Sequence, residues 1–227
     1  MISITVPTFN ESENIVKIIP RIHKCLKNEK HEIIVVDDNS PDKTYETAKK
    51  LGKKYPVRVI LRKNKKDLGS AILRGFKESR GEIVGVIDAD LQHPPEKIPE
   101  LLKALRNGAD ISVGSRWVKG GRLQDWPWYR VLISRSAWLL SYPLEKTKDS
   151  MSGFFLMKKK VIEGVDLNPI GYKLLLEILI KGKHKRVVEV PYTFKKREVG
   201  LSNLNSVNFL KYLVHLIRLY KYKLLKK

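Results

Sequence analysis

Glu32-Ile33-Ile34-Val35-Val36-Asp37-Asp38-Asn39-Ser40-Pro41 is the stretch whose reading decides the fold. Its first five residues are an almost unbroken apolar run, of the kind buried on both faces of a parallel sheet. It ends in acidic and turn-forming residues, which read as a strand end followed by a helix start. The same unit recurs on both sides. Upstream, ISITV (2–6) is a short strand that stops at Pro7. From Asn10 the chain reads as a helix, with Ile15, Ile18, Ile19, Ile22 and Leu26 at helical spacing and Asn10 and Glu13 set like a capping box. Downstream, helices over 43–53, 70–79 and 96–107 alternate with strands at 57–61, 83–87 and 110–114. Strands separated by helices of this length are βαβ units, which predicts an α/β fold with a mostly parallel sheet. Ligands in such folds gather beyond the carboxyl ends of the strands, where Asp37, Asp38, Asp88, Asp90 and Arg116 fall.

The second half is less regular. Residues 117–128 read as a polar loop containing Trp117, Trp126 and Trp128, followed by a short apolar helix over 129–140. A strand at 154–157, a helix at 171–180 and a strand at 186–190 precede a loop at 192–206 and a basic helix from Val207. The expected organisation is a catalytic domain over 1–206 and a C-terminal amphipathic helix over 207–227.

The 227 residues carry a formal charge of +21, so an anionic partner is expected: nucleic acid, an anionic membrane or a polyphosphate. Nucleic acid fits poorly, because helix-turn-helix and zinc-finger spacings are missing and the lysines are spread over nearly every helix. The single Cys25 excludes an internal disulfide and an all-cysteine zinc site, and its apolar neighbours make it a structural thiol. No export signal or transmembrane helix is read, so any membrane contact is expected to be peripheral, and the location cytoplasmic.

The most informative stretch is Val86-Ile87-Asp88-Ala89-Asp90-Leu91-Gln92-His93. Two carboxylates two residues apart, just past a buried strand, aim at one small site. Such oxygen ligands suit a hard divalent cation, Mg2+ or Mn2+, shared with substrate phosphates. His93 is open to two readings, a metal ligand or a helix-entry residue before the two prolines.

With VPTFNE (6–11), VDDNS (36–40), DADLQHP (88–94), GSR (114–116), SGFF (152–155) and EVPY (189–192) followed by Arg197 and Gly200, the chain resembles the inverting family-two glycosyltransferases of the GT-A fold. Within them it looks most like the polyprenyl-phosphate sugar synthases, and the shared stretches cover nearly the entire chain. That resemblance implies that Pro7, Glu11 and Asp37 lie around the nucleoside. It also implies that Asp88, Asp90 and Gln92 surround the metal and the sugar diphosphate. Arg116, Arg130 and Arg197 then look like phosphate-binding arginines, with Ser134 near the lipid phosphate. A guanidinium fork suits phosphate oxygens and keeps its charge among anions, which supports the arginines independently. One departure stands out. Where the family often has lysine after the last-loop serine, Ser202 is followed by Asn203, which leaves that work to Lys195, Lys196 or Arg197.

The activity implied is transfer of a sugar, mannose from GDP-mannose in first place, to dolichyl or polyprenyl phosphate. UDP-glucose as donor and a glycan or protein hydroxyl as acceptor are the alternatives. From Asn205 onward there are six basic residues and no acidic one. Leu210, Leu213, Ile217, Tyr220 and Leu224 form an apolar stripe, and Lys211, His215, Arg218 and Lys221 a polar one. That pattern predicts a helix lying in a membrane interface.

Overall fold

The structure, a computed structural model, describes residues 1–63, 67–171, 173–195 and 206–225, with backbone only for 206–208. A seven-stranded sheet runs through it. Its strands are β1 (Ile2–Thr8), β2 (His31–Asp37), β3 (Val57–Leu61), β4 (Ile83–Val86), β5 (Ile111–Ser115), β7 (Phe155–Lys158) and β8 (Val187–Pro191), in the order β3-β2-β1-β4-β7-β5-β8. Every pairing is parallel except those of β7, which runs against both β4 and β5. The expected α/β class and mostly parallel sheet are what the chain forms.

One face of the sheet packs Ile4, Val6, Ile33 and Val35 against α1 (Ser12–Cys25) and α4 (Ile98–Arg106), through Ile15, Ile18, Ile22, Leu101 and Leu105. The other face packs Val84, Val86, Ile111, Val113 and Phe155 against α3 (Leu68–Glu78) and α6 (Leu174–Lys181). Strands covered on both sides account for the unbroken apolar run in β2. α3 lies very close to β1 because Gly75 has no side chain; a Cβ there would come within 2.4 Å of Thr5 Cγ2. α2 (Thr44–Leu51) completes the layer beside α1.

Three expectations need correction. The capping box at the start of α1 does not form. Asn10 turns the chain out of β1 with φ 59°, and Glu11 rather than Asn10 is the cap position, without a side-chain cap bond. The Ser12 N–H is taken instead by Asp42 Oδ2 of the next loop, at 2.9 Å. Secondly, the loops at 117–128 and 192–206 each contribute a two-residue strand, β6 (Arg122–Leu123) and β9 (Thr193–Phe194), which pair in parallel. Two-residue strands carry no periodicity to read.

The third correction concerns the C-terminal helix α7 (Ser206–Leu225). It packs onto α5 (Trp128–Ser141) and α6 through Tyr212, Leu216 and Leu219, against Ala137, Leu144 and Leu176. Leu210, Ile217 and Leu224 of the expected apolar stripe are exposed, whereas Leu213 and Tyr220 are partly covered. His215, expected on the polar stripe, is fully buried, and neither ring nitrogen has a hydrogen-bond partner among the described residues. It faces Glu177 of α6, whose Oε2 lies 4.0 Å from Nε2. Lys181 and Arg218 face the same carboxylate at 2.6 and 3.6 Å. No helix among the described residues is long and apolar enough to cross a membrane.

Burial lowers the pKa of His215 below 6.5, with Glu177 opposing and Arg218 and Lys181 adding to the shift. The fold therefore favours the neutral ring. Its contribution is complete above the unfolded-state pKa and is lost as pH falls below it. Thermal melts from about pH 7.5 to about pH 5.5 are expected to show a steeper loss of Tm in the wild type than in His215→Leu. Equal slopes would contradict this assignment.

Candidate active site

The site is built where the strands end. β1 and β2 finish side by side, with Pro7 opposite Val36 and Thr8 opposite Asp37. Both chains then turn sharply, through Asn10 at φ 59° and Asn39 at φ 56°, residues that tolerate the left-handed region. Asp37 is fully buried and accepts hydrogen bonds from Thr8 Oγ1 (3.0 Å), Ser40 N (3.0 Å) and Ser40 Oγ (2.5 Å). Its carboxylate thus holds the loop shape. Asp38 forms a two-pronged pair with Arg62, at 2.6 and 2.9 Å, which ties β2 to the end of β3. Glu11 is buried at the start of α1, where it accepts from Asn14 Nδ2 at 2.6 Å. Pro7, Glu11 and Asp37 are therefore brought together at one corner of the crevice.

The next strand end carries the acidic pair. Ile87 N still donates to Thr5 O at 3.2 Å, so Asp88 emerges beside Pro7. Asp88 and Asp90 are half-buried. Leu91 follows at φ 63°, a conformation that costs a non-glycine residue on the order of 1 kcal/mol. Burial of Leu91 in the core and a bond from Gln92 N to Asp90 Oδ1 at 3.1 Å offset that cost. Gln92 Nε2 donates to Lys195 O at 3.0 Å, linking the acidic loop to the segment after β9. A Cβ on Gly153 would sit 2.8 Å from Asp88 Oδ2, so SGFF needs its glycine to let the chain pass the carboxylate.

His93 lies beneath, 4% exposed, among the rings of Phe154, Tyr192 and Phe194, with Nδ1 3.6 Å from Asp88 Oδ2. Burial, reinforced by the charge of Arg116, pushes its pKa down to about 3. The ring is neutral at physiological pH and serves as packing rather than as a proton acceptor.

Across the crevice, Arg116 follows directly on β5. Its guanidinium and main chain both grip Asp149, a buried carboxylate outside the motifs read from the sequence. Phe194 and Trp126 cover the guanidinium at 5.3 and 5.7 Å. Lys173, at the start of α6, is a second cation, one that no motif in the sequence marks. Burial and then the Arg116 charge lower its pKa to about 7, with Asp149 pulling the other way. On α5, Arg130 and Ser134 sit one turn apart and half-buried, and Arg130 Nε is enclosed without a hydrogen-bond partner among the described residues. Arg135 stacks over Trp117 at 4.0 Å, which fastens α5 beside the Arg116 strand end. Arg197, Lys196, Ser202 and Asn203 lie outside the described residues.

Residues 3–165 match the model of Glycosyl transferase family 2. The chain belongs to that family. It is 51% identical over 226 residues to a dolichol-phosphate mannosyltransferase of Pyrococcus furiosus, covering 98% of this chain and 64% of the relative. It therefore spans slightly less than two thirds of that protein's length. A dolichol-phosphate mannosyltransferase of Saccharomyces cerevisiae is 40% identical, with 97% of this chain and 87% of the relative covered. A polyprenol monophosphomannose synthase of Mycolicibacterium smegmatis is 37% identical, with 90% and 81% covered. Among solved structures, glucosyl-3-phosphoglycerate synthase from Mycobacterium tuberculosis with Mn2+ and UDP-glucose superposes with a TM-score of 0.71. That match covers 97% of this chain and 78% of that one at 18% identity, and it shows the fold.

The donor set fits a hard cation. Asp88 and Asp90 offer carboxylate oxygens at one strand end, and Gln92 an amide oxygen. No cluster of three His, Cys, Asp or Glu occurs among the described residues, so phosphate and water would complete the ligand sphere. Asp90→Asn is expected to weaken Mn2+ binding, measured calorimetrically with a nucleoside diphosphate present, by about tenfold or more. Tm should stay within a few degrees, since Asp90 is a crevice residue. Unchanged Mn2+ affinity would exclude Asp90 as a ligand.

Proposed function

We propose that this chain transfers mannose from GDP-mannose to the phosphate of dolichol or another polyprenol, with inversion and release of GDP. The observation that carries this reading is the double character of α5. That helix carries Arg130 and Ser134 half-buried one turn apart, while Trp128, Leu132, Ile133, Leu139 and Leu140 stand exposed. An anion-binding site rimmed by an apolar surface suits an acceptor with a phosphate head and a hydrocarbon tail. The names of the relatives point to the same sugar and lipid.

In the reaction, an oxygen of the acceptor phosphate forms a bond to the anomeric carbon. The bond from that carbon to the diphosphate breaks on the opposite side, and its electron pair leaves with GDP. Asp88, Asp90 and Gln92 would hold Mg2+ or Mn2+, which when bound would supply positive charge against the departing diphosphate. Pro7, Glu11 and Asp37 shape the nucleoside corner. Arg116, Arg130, Ser134 and Arg197 orient the phosphates and spread their charge. A phosphate is already ionised near pH 7, so no side chain has to take a proton, in keeping with a neutral His93 of very low basicity. The side chains act through orientation and electrostatics.

The body over 1–206 then works from the surface of a membrane, on its cytoplasmic, nucleotide-bearing face, with 207–227 as the docking helix. Leu210, Val214, Ile217 and Leu224 of α7 are exposed, as are Lys211 and Lys221. An apolar face flanked by lysines is the pattern of an interfacial helix, each cation adding about 1 kcal/mol near anionic lipid.

The test is incubation of the intact protein with Mn2+, labelled nucleotide sugars and dolichyl phosphate in anionic liposomes. GDP-mannose is expected to give label that partitions into organic solvent, and Asp90→Asn or excess chelator to reduce it at least about a hundredfold. Label that stays in the aqueous phase, or full activity in chelator, would contradict the proposal.

A further inference from the structure

The Arg116–Asp149 pair is built more thoroughly than a surface contact. Asp149, with a side chain 1% exposed, accepts from Arg116 N (2.8 Å), Nε (2.8 Å) and Nη2 (2.7 Å). One carboxylate thereby fixes both the main chain and the guanidinium of one residue. It occupies a single edge of the guanidinium and leaves Nη1 without a hydrogen bond among the described residues. Asp149 is held in turn. Its N–H donates to Glu189 Oε1 at 3.0 Å, and the Lys148 N–H to Glu189 Oε2 at 3.0 Å. Glu189 lies on β8 opposite Val113 of β5, three residues before Arg116. The chain of contacts closes on itself, from Arg116 through Asp149 and Glu189 back to the strand that carries Arg116. Nothing in the proposed reaction needs a second buried carboxylate here.

We infer that Asp149, braced by Glu189, is a positioning residue. It aims the free edge of Arg116 at substrate phosphate before substrate arrives, and it offsets the repulsion between Arg116 and Lys173. A long, flexible arginine loses much rotamer freedom when it must find an anion, and a preset guanidinium avoids that loss at the moment of reaction. This inference rests on the reading of Arg116 as a phosphate ligand given above.

A double-mutant cycle tests it on the full chain, with Asp149→Asn, Arg116→Ala, the double variant, and Glu189→Gln. The readouts are lipid-linked turnover and, independently, calorimetric binding of inorganic pyrophosphate. Circular dichroism checks that each protein is folded at the assay temperature. Asp149→Asn is expected to lower turnover about a hundredfold, and Glu189→Gln, which leaves the ion pair in place, about tenfold. The double variant should be no worse than Arg116→Ala within about threefold, because Asp149 acts only through Arg116. Losses that multiply, or full turnover in folded Asp149→Asn, would overturn the inference. Undiminished turnover and pyrophosphate binding in Arg116→Ala would overturn it together with the role of Arg116. A wild type that makes no lipid product, while the pyrophosphate cycle stays non-additive, sinks the proposed function and leaves the positioning role standing.

Discussion

Between β4 and β5 the sheet admits one strand, β7, running against both, and its two hydrogen-bond ladders set the width of the crevice. With neighbouring strands about 4.8 Å apart, the ends of β4 and β5 are held roughly 10 Å from each other. That is room for a phosphate group between the acidic pair after β4 and the arginine after β5. The segment leading into β7 touches both sides. Asp149 grips Arg116, and four residues on Gly153 passes against Asp88. A shift in this segment would disturb the acidic side and the basic side together, which explains why SGFF reads as a motif although none of its side chains is assigned chemistry.

The charges follow from that frame. Asp88 and Asp149 both act on the charge of Arg116, and Arg116 and Asp149 on that of Lys173, so pairing decides which charges survive. Arg116 is held charged by Asp149, and its pKa is raised despite burial. Lys173 is lowered to about 7 by burial and by the Arg116 charge, with Asp149 opposing. His93, walled in by aromatic rings, is kept neutral. An acceptor that arrives already ionised suits a site rich in cations and poor in bases.

Much of this was legible in the sequence, for identifiable reasons. β3 is legible to the residue because VRVIL is a short, mostly β-branched and apolar stretch between turn signals, and the acidic pair because it follows directly on a buried strand. Asp149 and Lys173 gave no signal, since each is an isolated charge in an irregular segment and acquires its role only when β7 and α6 pack. The capping box does not form because the sharp turn at Asn10 moves the cap position on to Glu11. α7 was read with one apolar face where it has two, one packed on the body and one exposed. Periodicity alone does not distinguish a face that meets protein from one left open.

The central claim is a single displacement by a phosphate oxygen, across the gap that β7 sets, without a covalent intermediate on the protein. The most direct measurement is the anomeric configuration of the lipid-linked product, by NMR, from a donor of known configuration. Inversion is the predicted result; retention of the donor configuration would contradict the account.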